Sequence, residues 1–449
     1  VKPVSLQQVA KFCGGTLLQG KAAAMVSRVS TDSRKITAGD VFVALKGEKF
    51  DAHSYLEQVD KAGAAAVLVS QAVEAALGCA VIQVQDTLVG LQALAQAYRA
   101  WHQPLVIGIT GSNGKTSTKD LACAVMAKKH QVCATPGNLN NHIGLPLSIL
   151  GLREGDTCGV FEMGMNHPGE IAPLAAIASP DAAIITNVGV AHIEYMGSRE
   201  AIALEKGMLA EAVQESGVVV LNANDEFTPS IAARCEACVI KAGIGAGDVS
   251  AQDLRAAADG THFTLSLGGG QFEAFLPIPG EHMVGNATLA AALGWSQGIA
   301  PEDIVAALRE VTITQGRLET KRVNGVTFLD DSYNANPDSM KAGLRTLAGL
   351  ECSGRRVAVL GRMGELGEHA ESGHREVGAY AASLGLDAIV SVGDEARWIT
   401  DEAKRDTHFP DHAACAAFLQ TYLSPGDLVL LKGSRSAGME RVLSLYQTA

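Results

Sequence analysis

A chain of 449 residues is longer than one hydrophobic core usually organises, and typical domain size divides it into roughly three units. Its 47% hydrophobic and 19% charged residues describe a folded protein, while a formal charge of -12 excludes a nucleic-acid binder that relies on a clustered excess of Lys and Arg. No apolar run is long enough to span a bilayer, "VKPVSLQQVAKFCGG" lacks the apolar core of a signal peptide, and nine scattered cysteines fit reduced thiols, so the expectation is a cytoplasmic protein with no membrane insertion and no nucleic-acid partner.

The first elements in the chain read as a small α/β unit. A helix pattern lies in "SLQQVAKFCGG", strands in "DVFVAL" and "AAVLVS", and a helix between them from about Ser54 to Gly63. "DTLVGLQALAQAYRAWH" is the next helix, stopped near Pro104, which marks a boundary. From "PLVIGITG" onward, apolar runs at "CGVFEMG", "AAIITNVG" and "GVVVLNAND" alternate with helical stretches. That alternation predicts a mainly parallel sheet covered on both faces. Cys235 and Cys238, the one close cysteine pair, have no second pair to complete a metal site and read as structural. After the alanine-rich helix "NATLAAALGWSQG" and "TITQGRLE", a third α/β run carries strands at "VTFLDD", "RRVAVLG", "LDAIVSVG" and "DLVLLKGS". The expected division is residues 1–84, 85–314 and 315–449.

Chemistry first shows at "ITGSNGKTSTKD". A strict phosphate loop reads G-x-x-x-x-G-K-[ST], and counting back from Gly114-Lys115-Thr116 puts Ile109 where the first glycine should stand. The loop is shorter but keeps the parts that matter: Gly111 and Gly114 let the backbone approach phosphate, with Ser112 and Asn113 between them. Lys115 reaches the outer phosphates, and Thr116 and Ser117 open a helix whose free N–H groups attract anions. Glu162 stands at the carboxyl end of another apolar strand, the edge where ligands bind in open α/β sheets. It is read either as a Mg2+ carboxylate or as a solvated strand end. His192 follows a strand in "AAIITNVGVAHIEYMGS", where a lone histidine is usually structural. Lys206 in "AIALEKGML" has the pattern of a solvated helix lysine.

Taken in order, "TGSNGKTS", "EMGMNHPGEI", "VAHIEYMGS", "EKGML", "GEHMVGNATLAAA", "QGRLE" and "DDSYNANPDSM" resemble the Mur ligase family, whose loop is the shorter G-x-x-G-K-[ST]. "STDSRKITAGDVFVALKGEKFDAHSY", "GNLNNHIGLPLS" and "LLKGSRSAGMERV" are similar to the members that use UDP-N-acetylmuramoyl-tripeptide and D-alanyl-D-alanine. The resemblance covers essentially the whole chain. It implies a monomeric, ATP-driven amide ligase of peptidoglycan synthesis. The implied fold has three α/β domains: a small N-terminal UDP-substrate domain, a central P-loop-type ATPase domain with a mainly parallel sheet, and a Rossmann-like C-terminal domain.

The same resemblance implies roles for individual residues. Ser33, Arg34, Lys46, Gly47, Asp51 and His53 would lie at the uridine end, and Asn138, Asn140 and Asn141 nearer the muramoyl portion. Lys115, Thr116, Glu162 and His192 would position ATP phosphates and two Mg2+ ions, and Lys206 would carry a CO2-derived carbamate on the second metal. Asn286 would sit near adenine, Arg317 near the γ-phosphate and Asp331 near the ribose. Asn334, Asn336, Lys432, Ser434 and Arg435 would complete the closed site.

Departures from the family pattern stand at Met283 after His282, at Arg362 in place of an acid, and around Lys206 with Glu205 for Ala and Met208 for Glu. Two other readings exist. One is a folylpolyglutamate synthase, which lacks the "TDSRK" to "DAHSY" segment; the other is a non-catalytic nucleotide-binding regulator, against which the set Lys115, Glu162, His192 and Lys206 speaks.

Overall fold

The structure is a computed structural model describing residues 2–405 and 407–448. Its strands form three main sheets, each covered by helices. In the N-terminal sheet, strands Arg28–Ser30, Asp40–Val43, Ala66–Val69 and Ala80–Gln83 run parallel, with Thr16–Gln19 antiparallel at the edge. Every residue of Asp40–Val43 and Ala66–Val69 is buried, which is why both read as continuous apolar runs. The shorter outer strands alternate weakly, and the sequence reading passes over them. Helix Leu6–Phe12 opens with a reciprocal cap between Ser5 and Gln8.

Helix Thr87–His102 is capped by Asp86 and ends at Gln103 in a left-handed conformation, just before Pro104. Its buried face includes Leu91, Leu94 and Tyr98. The Tyr98 hydroxyl donates to the Leu152 carbonyl at 2.7 Å and accepts from the Lys2 N–H at 2.6 Å. One side chain thus ties the chain's start to the central unit.

The central sheet has nine strands. In spatial order, Val132–Ala134, Cys158–Glu162, Leu105–Thr110, Ala182–Ile185, Val218–Asn222, Cys238–Ile244 and Val249–Ala257 are parallel, and Gly260–Leu267 and Gly270–Leu276 continue antiparallel. Those last two strands alternate buried with exposed residues and were not anticipated. Helix Glu281–Ser296 packs across this sheet, beginning before the alanine-rich stretch that announces it.

In the C-terminal sheet, Val326–Asp331, Leu428–Lys432, Arg356–Gly361, Ala388–Val392 and His408–Phe409 run parallel, with Glu319–Val323 antiparallel outside. One apolar cluster runs from Ile107 and Val160 of the central sheet, through Ala287 and Leu293, to Leu329 and Leu360 of the C-terminal sheet. Each fully buried Leu or Ile stabilises by about 1.5 to 3 kcal/mol, so this shared core sets the two sheets against each other more firmly than any single polar contact.

Candidate active site

Strand Leu105–Thr110 delivers the chain to a tight turn and then to helix Lys115–Met126. Gly111 has φ 152° and Gly114 φ 79°, and no room exists for larger residues: a Cβ on Gly111 would lie 1.8 Å from Thr186 Oγ1, and one on Gly114 2.7 Å from Asn286 Oδ1. Both glycines are therefore required by geometry as well as by conformation. Lys115 Nζ donates to the Gly111 carbonyl at 2.7 Å, so the lysine lies back along its own loop. Burial pushes its pKa down, opposed by the nearby Glu162 carboxylate. A polyphosphate here would replace the solvation that the ammonium has lost.

Glu162, 1% exposed, follows its strand into the same place, since it is paired in register with Ile109. Its Oε2 accepts from the Thr116 hydroxyl at 3.3 Å, while Oε1 is buried without a hydrogen-bond partner and stands 4.0 Å from Lys119 Nζ. A buried carboxylate oxygen with no donor costs free energy unless a cation takes it. Among the described residues no group of three or more His, Cys, Asp or Glu could enclose a metal. That donor set fits Mg2+, which keeps several waters and binds through one or two protein oxygens plus substrate phosphates. His192 adopts φ 63°, and its Nδ1 lies 3.2 Å from Glu365 Oε2 of the C-terminal unit.

Lys206 is no solvated helix lysine. It is 1% exposed on helix Arg199–Glu211, and its ammonium has no hydrogen-bond or ion-pair partner among the described residues. Burial, with Lys115 as a neighbouring like charge, holds its pKa well below the usual range. Its neighbour Glu205, a departure from the family pattern, accepts from the Gly169 and Ile171 N–H groups, each at 2.8 Å. Glu205 thereby caps helix Ile171–Ala178, whose own N-cap, Glu170, instead accepts from the Asn166 N–H at 2.6 Å. Met208 packs against the apolar cluster beneath.

The C-terminal unit closes the opposite side. Arg317 Nη2 donates to Thr116 Oγ1 at 3.2 Å, and its guanidinium stacks 4.2 Å above the Tyr333 ring. Asn336 Nδ2 donates to Asn113 Oδ1 at 2.7 Å while its Oδ1 caps helix Pro337–Gly349. Asp338 Oδ2 accepts from the Val190 N–H at 3.1 Å. Asp331 accepts from Lys432 Nζ at 2.6 Å, and Lys432 also donates to the Asn334 carbonyl at 3.0 Å. Burial lowers the pKa of Lys432, opposed by Asp331, and lowers that of His282 to about 4, so the imidazole is neutral. Met283 places its sulfur 3.9 Å from Asn286 Nδ2. Arg362 pairs with Glu395 at 2.9 Å, which gives that departure a local partner.

A cavity of about 770 Å³ joins these walls. From the central unit it takes Ser112 to Ser117, Asn138, Asn140, Asn141, Glu162, His192 and Asn286, and from the C-terminal unit Arg317, Asp331, Asn334, Asn336, Lys432 and Arg435. Gly111, Lys206 and Ser434 stand outside the wall; Ser434 is 3% exposed and donates its N–H to the Arg362 carbonyl at 2.9 Å. The N-terminal set is not brought to this cavity. Ser33 and Arg34 form a short turn in which Arg34 pairs with Asp32 at 2.9 Å, and the Gly47 N–H donates to the Phe50 carbonyl at 2.7 Å. Lys46 lies 3.8 Å from Asp51, whose carboxylate is 2.6 Å from His53 Nδ1 and, with the His53 backbone N–H as main cause, is lowered to about 2.

Sequence reasoning missed Tyr333, Asp338, Arg199 and Glu365 in the cavity wall. The first two lie inside the quoted "DDSYNANPDSM", so a signal existed. Arg199 and Glu365 act through contacts between distant segments, and nothing local marks them. Of the close cysteine pair, Cys235 is half-buried, with burial raising its thiol pKa, and Cys238 is exposed.

Three family models match the chain: the Mur ligase family catalytic domain over residues 25–99, the Mur ligase middle domain over 109–294, and the Mur ligase glutamate ligase domain over 316–435. The UDP-N-acetylmuramoyl-tripeptide--D-alanyl-D-alanine ligase of Bacillus subtilis is 39% identical over 448 residues, covering 98% of this chain and 97% of its own. Among solved structures, MurF from Acinetobacter baumannii superposes with a TM-score of 0.93 at 34% identity over 100% of both chains. MurF ligase from Thermotoga maritima in complex with ADP gives 0.85 at 30% identity, covering 94% of this chain and 97% of that one.

Proposed function

The chain belongs to the Mur ligase family, and from that premise we propose that it joins D-alanyl-D-alanine to UDP-N-acetylmuramoyl-tripeptide in peptidoglycan precursor synthesis, with ATP converted to ADP and phosphate. The observation that carries the reading is the shared cavity. A phosphate loop and a buried acid on one side face Arg317, Asp331 and Lys432 on the other, in a chain similar along its length to ligases of that name. The folylpolyglutamate synthase reading has less support, because the similarity to the tripeptide ligases includes the N-terminal segment. No helix among the described residues is long and apolar enough to cross a membrane.

The chemistry follows from the weakness of the electrophile. A carboxylate resists attack by an amine, and phosphorylation gives it a leaving group. Lys115 and Arg317 are the charges proposed to stabilise the phosphoryl group as it passes to the terminal carboxylate of the tripeptide. The amine of D-alanyl-D-alanine then attacks the acyl phosphate and phosphate departs. Thr116, Glu162, His192 and a carbamate on Lys206 are the groups proposed to hold two Mg2+ ions, which when bound would neutralise phosphate oxygens as Lewis acids. Asn286 near adenine, Asp331 near ribose, Asn138, Asn140 and Asn141 near the muramoyl portion, and Ser33, Arg34, Lys46, Gly47, Asp51 and His53 near uridine complete the assignment. Asn334, Asn336, Ser434 and Arg435 close the site.

A phosphate-release assay tests the reading. Phosphate is expected only when ATP, UDP-N-acetylmuramoyl-tripeptide and D-alanyl-D-alanine are all present, and comparing tripeptides ending in L-lysine or meso-diaminopimelate shows which is used. Release with a folate and glutamate instead would overturn it.

A further inference from the structure

The cavity contains five acidic side chains, and four of them accept from a backbone N–H, a hydroxyl or a lysine. Glu162 takes the Thr116 hydroxyl, Glu170 accepts the Asn166 N–H, Asp331 accepts from Lys432, and Asp338 accepts the Val190 N–H. The fifth, Glu365, accepts no backbone N–H and meets only His192 Nδ1, 3.2 Å from its Oε2, with Lys115 within electrostatic reach. Its side chain is 60% exposed, so it can be approached from solvent.

Two features describe the backbone turn that carries this carboxylate. Glu365 has φ 62°, a conformation that a non-glycine residue keeps only when its surroundings enforce it. The turn packs against the short helix Ile193–Met196 that follows His192, with Gly367 facing the Glu194 side chain. The backbone thus presents one exposed carboxylate from the C-terminal unit, paired with His192 alone, beside the phosphate loop of the central one.

The second substrate of the proposed reaction arrives as a zwitterion whose ammonium must approach a centre crowded with phosphate and cations. We propose that Glu365 receives the amino end of the incoming dipeptide and orients it toward the activated carboxylate. This rests on the ligase reading above. The carboxylate attracts the ammonium past Lys115 and Arg317, which would otherwise repel it, and the seated turn fixes its direction of approach.

The test separates the two halves of the reaction in the full-length enzyme with ATP and UDP-N-acetylmuramoyl-tripeptide. Hydroxylamine, a small neutral nucleophile that needs no ammonium site, traps acyl phosphate as a hydroxamate. In Glu365→Gln the KM for D-alanyl-D-alanine is expected to rise about tenfold to a hundredfold, the loss of one charge-assisted contact. The hydroxamate rate and the KM for ATP are expected to stay within about twofold, and Glu365→Asp to recover part of the dipeptide affinity. An unchanged dipeptide KM would overturn the assignment, as would a hydroxamate rate falling in parallel, which would place Glu365 with the phosphates. A wild-type enzyme that forms hydroxamate yet ligates no dipeptide would remove the substrate reading itself, and is thereby distinguishable from failure of Glu365 alone.

Discussion

Lys115→Ala is expected to lose ligation by about a hundredfold to a thousandfold while UDP-N-acetylmuramoyl-tripeptide still binds. The lysine side chain lies along the loop, 2.7 Å from the Gly111 carbonyl, inside the cavity wall and close to both Glu162 and Arg317. Its charge is the one best placed to follow a phosphoryl group in transit. Removing it leaves Thr116 and Arg317 in contact with each other, so the loop keeps its form and loses a charge. The residues proposed for uridine lie in short turns and loops of the N-terminal unit, away from this cavity, and are untouched by the change. Turnover measured beside UDP-tripeptide binding by calorimetry checks this, and near-normal turnover would take Lys115 out of the mechanism.

The second large effect is expected at Lys206. An ordinary lysine is neutral in about one molecule in a thousand near pH 7.4, and only the neutral amine captures CO2. Burial, helped by the like charge of Lys115 and opposed only in part by Glu205, favours the neutral amine, the direction that carbamate formation requires. Lys206→Ala is expected to be nearly inactive and to regain partial activity with a short carboxylic acid, which would supply the missing anion to the metal. Rescue by acetate or formate is the decisive readout, because a merely structural lysine would not respond to it. Wild-type-like activity in Lys206→Ala would eliminate the metal-bridging role.

How much of this could be read from the residues alone depended on how local each constraint is. Gly111, Gly114, Lys115 and Thr116 were legible because strand, turn and helix follow one another in sequence, and the turn demands glycine where φ reaches 152° and 79°. The three-domain α/β architecture was legible from apolar runs such as Asp40–Val43 and Leu428–Lys432, buried on both faces. Strands Gly260–Leu267 and Gly270–Leu276 escaped because their outward residues are polar and the runs between turns are short. Lys206 read as solvated because nothing local says that its helix lies over the central sheet. Glu205 stands out in the sequence only as a departure from the family pattern, whereas its carboxylate caps a helix that begins more than thirty residues earlier in the chain. Arg317 on Thr116, Asn336 on Asn113 and Glu365 beside His192 join residues from separate units, and only folding brings those pairs together.

In the proposed reaction the substrate carboxylate attacks the γ-phosphate directly, with Lys115, Glu162, His192 and Arg317 handling phosphate and no protein nucleophile intervening. Heavy oxygen placed in the terminal carboxylate of the tripeptide follows that bond. With D-alanyl-D-alanine present, each turnover is expected to deliver one labelled oxygen to inorganic phosphate, detected by mass spectrometry, while ADP is released unlabelled. Label appearing in AMP, or retained entirely in the peptide product, would contradict the acyl phosphate and the roles of Lys115 and Arg317 with it.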